Sequence, residues 1–226
     1  MIAGYSAAQV RAAEAPHLAA GEALMRQAAT ALAVVLRRVL RETGAHAGPV
    51  VLLVGSGDNG GDALYAGAEL ADDGVELVAI RTADRVHEEA AAAAMDAGVM
   101  VVSRTSPDAG EAFAHAAVIV DGILGTGTAS APALRGGARE VVAAALRVVR
   151  KRGIPVVAVD LPSGIHPDDG GVPDPTVLPA AVTVTFGAVK AGLLRAPGSS
   201  YAGRVELIDL GLGAELAEMT PLIVSD

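Results

Sequence analysis

From Val50 onward the hydrophobic pattern of the chain alternates between two periods. Val50–Val54, Val75–Ile80, Val99–Val101, Val118–Val120, Val156–Val159, Val182–Phe186 and Val205–Ile208 are short, mostly β-branched runs. Such runs mark strands buried on both faces. Between them, Ala63–Asp72, Val86–Ala97, Pro107–His115 and Ala138–Lys151 carry apolar residues at helical spacing. This β-α-β-α order predicts an α/β fold, a doubly wound and mostly parallel sheet with helices on both faces. No helical pattern separates the last two runs, so an antiparallel edge is expected there. Two helices are predicted ahead of Val50. Ser6 caps the first, which runs to about Glu14 and ends before Pro16. The second spans Gly21 to Thr43, with Leu24, Ala28, Ala31, Leu32, Val35, Leu36 and Val39 on one face and Gly44 as its stop. No repeat or interdomain linker breaks the pattern, and residues 1–226 read as one domain.

Composition changes this picture in few places. The chain is 52% hydrophobic but only 2% aromatic, so its core must be built from Ala, Val, Leu and Ile. A net charge of −9 argues against a nucleic-acid surface. The absence of cysteine excludes disulfides and thiolate metal sites. The first residues lack a basic region followed by an apolar core, and no uncharged apolar run reaches the roughly 18 residues of a membrane span. A cytoplasmic protein without membrane or nucleic-acid partners is expected.

The chemistry collects at strand ends. Ligands of open α/β sheets bind beyond the carboxyl ends of the strands. After Val54 comes Gly55-Ser-Gly-Asp58-Asn59-Gly60-Gly61-Asp62. Its first six residues fit the dinucleotide turn G-x-G-x-x-G, which makes the predicted sheet Rossmann-like. Asp58 and Asp62 are awkward in a loop meant for pyrophosphate, however. After Val120 comes Asp121, then Gly125-Thr126-Gly127-Thr128, a turn with hydroxyls and no carboxylate that suits a phosphate better. After Val159 comes Asp160, then Pro162-Ser163-Gly164, which opens a Pro- and Gly-rich loop to Pro179. Lys190 follows the strand ending at Phe186.

Each piece has an ordinary reading. An Asp after a strand often only caps the next helix, tight turns need glycine anyway, and a single lysine is usually a solvated one. The five histidines show no metal-ligand spacing; His17, His46, His87 and His115 read as surface residues, and only His166, in the long loop, stands out. The joint placement of Asp58, Asp62, Asp121 and Asp160 is what points to a site. The acids can accept hydrogen bonds from ribose or carboxamide groups, hold a hard cation with Asn59 and Ser163, or act as general acid and base. There is neither a P-loop nor a G-x-S-x-G nucleophile turn.

Taken in order, these motifs resemble the NAD(P)H-hydrate epimerases, the YjeF N-terminal domain family. The resemblance rests on Gly55–Asp62, Val120-Asp121-Gly-Ile-Leu-Gly-Thr-Gly127, Val159-Asp160-Leu-Pro-Ser-Gly164 and Thr185-Phe-Gly-Ala-Val-Lys190, together with Tyr5-Ser6, Gln9–Arg11 and Tyr201–Gly203. It implies interconversion of the R and S forms of hydrated NADH and NADPH, which carry a hydroxyl at C6 of the reduced nicotinamide ring. It implies Asp160 as the acid/base and a potassium ion held by Asn59, Asp121 and Ser163. It implies substrate contacts from Asp58, Asn59, Gly60, Gly61 and Asp62, from Gly125, Thr126, Gly127, Thr128, Ala129, Ser130 and Ala131, and from Asp160; Lys190 closes the last of these motifs and joins the substrate-binding set. An NAD(P)H-hydrate dehydratase, separate or fused, is the implied functional partner, and a homodimer the implied assembly.

Two residues depart from the family turn G-x-G-N-N-G-G-D-G: Asp58 stands where an Asn is usual, and Ala63 where a Gly is usual. Ala63 is tolerable if its φ is negative. An NAD(P)-dependent oxidoreductase is the alternative enzyme reading, but the run ending at Ile80 leads into Arg81-Thr82, not into an acid for the adenosine ribose. A non-catalytic scaffold of the same fold would be expected to have lost the acid and cation ligands, all of which are present.

Overall fold

The computed structural model describes residues 1–44, 48–128 and 131–225. In chain order these form β1 (Ile2–Tyr5), α1 (Ala7–Ala19), α2 (Leu24–Thr43), β2 (Val50–Val54), α3 (Asp58–Asp72), β3 (Leu77–Arg81), α4 (Glu88–Asp96), β4 (Met100–Ser103), α5 (Pro107–His115), β5 (Val118–Gly122), α6 (Gly136–Arg152), β6 (Val156–Val159), β7 (Val182–Phe186), β8 (Val189–Lys190), α7 (Ser199–Ala202), β9 (Arg204–Ile208), α8 (Gly213–Ala217) and β10 (Ile223–Ser225). Single 3₁₀ turns lie at Thr126–Thr128 and Ala191–Leu193.

The seven-stranded sheet has the order β4-β3-β2-β5-β6-β7-β9, and every pair in it is parallel. The chain moves outward through β3 and β4, then returns to place β5 on the other side of β2. The reversal between β2 and β5 opens a crevice at the carboxyl edge, the usual binding place in such sheets.

Strand β2 shows why the sheet is apolar throughout. Val50, Leu52 and Val54 join the core under α2, α3 and α4, while Val51 and Leu53 join the core under α5 and α6. All five are fully buried. At about 25 cal/mol per Å² of apolar surface, each such side chain contributes roughly 1.5–3 kcal/mol. Small helix residues let these layers close without aromatic bulk.

Several expectations need correction. The outer strands β7 and β9 pair in parallel, not antiparallel. The connecting residues form β8, a 3₁₀ turn and α7, a crossover long enough to return the chain to the same edge. The first helix does not end before Pro16 but runs to Ala19. Proline costs the bond to the Ala12 carbonyl, and both residues lie on the exposed face where water can replace it. Its Ser6 cap is present, as a capping box with Gln9. The helix predicted from Ala63 begins at Asp58, so the supposed turn Asp58–Asp62 is the first turn and a half of α3. Helix α2 begins at Leu24, not Gly21, and stops at Gly44 in the left-handed region.

A second sheet of order β10-β1-β8 was not foreseen. Its strands are two to four residues long, too short to show a period. It joins both ends of the described chain beside Lys190, through the pairing of Tyr5 with Lys190.

Candidate active site

Adjacent parallel strands bring the three acid-bearing strand ends together. Asp121 pairs in register with Leu53 of β2 and Ala158 of β6. Asp160 follows two residues beyond Ala158, and α3 begins four residues after Val54. Glycine permits the close packing here. A Cβ on Gly60 would stand 2.2 Å from the Gly55 carbonyl oxygen, and one on Gly55 would stand 1.9 Å from the Ile123 oxygen. Ala63 has no positive φ and fits the helix, its methyl against Gly122.

Asp121 is buried and tied to Ser163. The Ser163 N–H donates to Oδ2 at 2.9 Å, the Ser163 hydroxyl to Oδ1 at 2.6 Å, and the Ile123 N–H to Oδ1 at 3.4 Å. Burial raises the Asp121 carboxyl above its ordinary pKa, and these three donors oppose the rise. Leu124 N–H donates to Ser163 Oγ at 2.9 Å. Asn59 Nδ2 donates to the carbonyls of Val159 at 2.6 Å and Leu124 at 3.1 Å. Asn59, Asp121 and Ser163 are thus brought into one cluster. Its donors are a carboxylate, a hydroxyl, an amide and a carbonyl. That set, with a single carboxylate, fits a large singly charged cation better than a divalent one. Among the described residues no group of three His, Cys, Asp or Glu could hold a metal ion.

Asp160 is the one described non-glycine residue with a positive φ, 67°. Such a conformation costs about 1 kcal/mol or more and persists where surrounding contacts hold it. Those contacts are clear. Asp160 Oδ1 accepts from the Lys190 ammonium, from Thr185 Oγ1 at 3.2 Å and from Phe186 N–H at 3.4 Å. Lys190 is only 2% exposed and also donates to the Phe186 carbonyl at 2.7 Å. The reading of a lone lysine as solvated is overturned: β8 places Lys190 inside the sheet edge, where only a partner carboxylate makes its burial tolerable.

Two connected hollows meet at this edge. The inner one, of about 270 Å³, is lined by Glu14, Asp62, Asp160, Phe186 and Lys190. The outer one, of about 600 Å³, is lined by the Gly55–Gly57 and Gly125–Gly127 segments with Thr82, Arg104 and Arg135. Asp58, Asn59 and Thr126 border both. A hollow with acids and an ammonium, beside a larger one carrying glycine turns and arginines, suits a ring with a polar reacting carbon joined to a nucleotide tail.

Asp62 is 6% exposed, and its Oδ1 has no hydrogen-bond partner among the described residues. Its pKa lies well above the ordinary carboxylate range, first through burial and then through the charges of Asp160 and Asp58. Glu14 is raised as well, chiefly by burial, with Lys190 opposing the rise and Asp160 adding to it. The Gly125–Thr128 segment is held from α1, because Arg11 Nη1 donates to the Thr126 carbonyl at 3.2 Å.

Of the sequence-derived site residues, Ala129 and Ser130 lie outside the described residues, as does His46, and Ala131 is exposed beyond the turn. His166 does not reach the inner chamber; its Nδ1 accepts from the N–H groups of Asp168 and Asp169. Glu14, Thr185, Arg104 and Arg135 were missed. Arg104 follows β4 directly, so a strand read two residues longer would have exposed it to the strand-end argument. Glu14 ends the opening-helix motif of the family resemblance, but only the packing of α1 brings it to the sheet.

Comparison with known proteins agrees with the fold. The family model described as YjeF-related protein N-terminus matches residues 21–192. A protein of Clavibacter michiganensis named NAD(P)H-hydrate epimerase is 56% identical over 224 residues, covering 97% of this chain and 94% of its own length. A protein of the same name from Microbacterium testaceum is 48% identical, covering 99% of this chain and 84% of its own. The bifunctional NAD(P)H-hydrate repair enzyme Nnr of Mycobacterium tuberculosis is 42% identical over 213 residues, and the match spans 41% of that longer protein. The crystal structure of yeast ynu0 superposes with a TM-score of 0.77 over 100% of this chain and 97% of that one, at 20% identity, which shows the shared fold. With the family model matched over residues 21–192 and a relative 56% identical across 94% of its own length, the chain belongs to the YjeF-related N-terminal domain family.

Proposed function

We propose that the protein is an NAD(P)H-hydrate epimerase, an isomerase that interconverts the R and S forms of hydrated NADH and NADPH. The observation that carries this reading is the inner chamber. It offers carboxyls and an ammonium beside a larger hollow lined by glycine turns and arginines, the two sharing Asp58, Asn59 and Thr126.

The reacting C6 carries both a hydroxyl and the ring nitrogen. Loss of water gives an iminium, and return of water to the other face inverts the configuration. Asp160 is the group that takes the proton of the returning water, oriented by Lys190, Thr185 and Phe186. Asn59 and the acid-rich start of α3 hold the nicotinamide end, and the Gly125–Thr128 segment takes the phosphates. Asn59, Asp121 and Ser163 are the proposed ligands of a potassium ion, which would supply fixed positive charge beside the substrate. A dehydratase acting on one epimer is the natural consumer of the product. The fused Nnr relatives support that pairing. Exposed Ile2 and Leu207, which line an apolar hollow, support assembly with a second copy.

The test supplies mixed R and S hydrates of NADH to an S-specific dehydratase. With the protein present, the R form should be consumed at a catalysed rate. An R form that persists unchanged would refute the reading. Exchange of potassium for tetramethylammonium should lower both rate and melting temperature if the cation site is correct, since any ligand of the native state stabilises it by mass action.

A further inference from the structure

Epimerisation breaks a bond on one face of C6 and remakes it on the other. It therefore needs a proton donor for the departing hydroxyl as well as an acceptor for the incoming water. Asp160 Oδ1 is poorly placed to be that donor. It already accepts from Lys190, Thr185 and Phe186, so this oxygen starts the cycle as an acceptor, and a proton that Asp160 takes up later, or gives back in the reverse direction, sits on Oδ2.

Asp62 has the opposite surroundings. It projects from the first turns of α3 into the same chamber, is more than nine-tenths buried, and leaves Oδ1 without a partner among the described residues. A buried polar atom without a partner is costly unless a ligand completes it. We propose, as a deepening of the epimerase reading, that Asp62 is the general acid of the reaction and forms a two-carboxyl pair with Asp160.

The Asp62 O–H gives its proton to the C6 hydroxyl. The C6–O bond breaks with its electrons on oxygen, water leaves, and the ring nitrogen lone pair forms the N1–C6 double bond. Water then adds to the opposite face and gives a proton to Asp160. Atoms and electrons balance, and the net change is a proton moved from Asp62 to Asp160. The shared chamber lets it return before the next turnover. Running backwards, the roles exchange, so one site serves both epimers.

The charged groups around Asp62 support the assignment. Asp160 from the end of β6, Asp58 from its own helix and Glu14 from α1 all favour its neutral form, and Lys190 from β8 alone opposes them. Burial is the largest cause and acts in the same direction.

The experiment measures R-to-S conversion of hydrated NADPH for the wild type, Asp62→Asn, Asp62→Glu and Asp160→Asn across pH, with NADP⁺ affinity and circular dichroism as controls on folding. Asp62→Asn should lower kcat about 100-fold or more with KM within about threefold, in line with the loss of a general acid. The wild-type rate should fall at high pH as the acid ionises, a limb that Asp62→Glu keeps and the residual rate of Asp62→Asn lacks. Folded Asp62→Asn that retains activity within tenfold, or whose loss lies wholly in KM, would overturn the inference and leave the epimerase reading standing. An inactive, folded wild type would overturn both.

Discussion

The buried Lys190–Asp160 pair offers a direct measurement of what the site costs the fold. Lys190→Met keeps most of the side-chain volume and removes the ammonium. It deletes the ion pair to Asp160 and the donation to the Phe186 carbonyl. The Asp160 side chain, 8% exposed, is left as an uncompensated buried carboxylate beside Asp62 and Glu14. Breaking one side of a buried pair costs about 3–5 kcal/mol. In a domain of this size each kcal/mol shifts the midpoint by roughly 2–4 °C, so a loss of about 6–20 °C is expected at pH 7. The chain has no tryptophan, so far-ultraviolet circular dichroism is the suitable probe. Asp160→Asn in the Lys190→Met background should recover part of the loss, giving a coupling of about 1–3 kcal/mol in the double-mutant cycle. A single-variant cost below about 1 kcal/mol, or two costs that simply add, would refute the view that this pair holds the β7–β8 turn and the strained Asp160 backbone together.

Two further outcomes follow from the same geometry. Because the Asp62 carboxyl is raised in the folded state, the native protein binds more protons than the unfolded chain between the unfolded pKa and the folded one. Asp62 therefore erodes stability as pH rises through that window. Asp62→Asn should thus be stabilised relative to wild type at pH 8 and not at pH 4, as read from paired urea titrations at the two pH values. Each tenfold difference in proton affinity between the folded and unfolded states corresponds to about 1.4 kcal/mol. Ala63→Gly, a return to the family residue, should cost about 0.5–1 kcal/mol, since the position is helical and has no need of a positive φ; a thermal melt decides it.

The positions of the acids were legible because strand ends are legible. Each of Asp62, Asp121 and Asp160 follows an apolar run, and parallel pairing of β2, β5 and β6 makes neighbours of positions far apart in the chain. The same logic failed at Lys190. Its strand is two residues long and depends on β1, the first strand of the chain, for its partner, so nothing local marks it as buried. It failed also at the start of α3, where Gly60 and Gly61 read as part of a tight turn. Gly60 serves close packing of a helix against Gly55, and neither residue has unusual backbone angles.

The sequence by itself determined the strand-and-helix alternation, the apolar sheet, the clustering of acids and glycines at one edge, and the resemblance that names a reaction. These depend on residue type and short spacing, which survive without coordinates. Tertiary structure alone decided which partners each acid meets. Asp160 meets three donors because β7 and β8 pass beside it, while Asp62, placed by α3 at the edge of the same hollow, has a buried Oδ1 that meets none among the described residues. Protonation is set by the dielectric and charges within a few ångströms, and those come from residues as distant in sequence as Glu14 and Lys190.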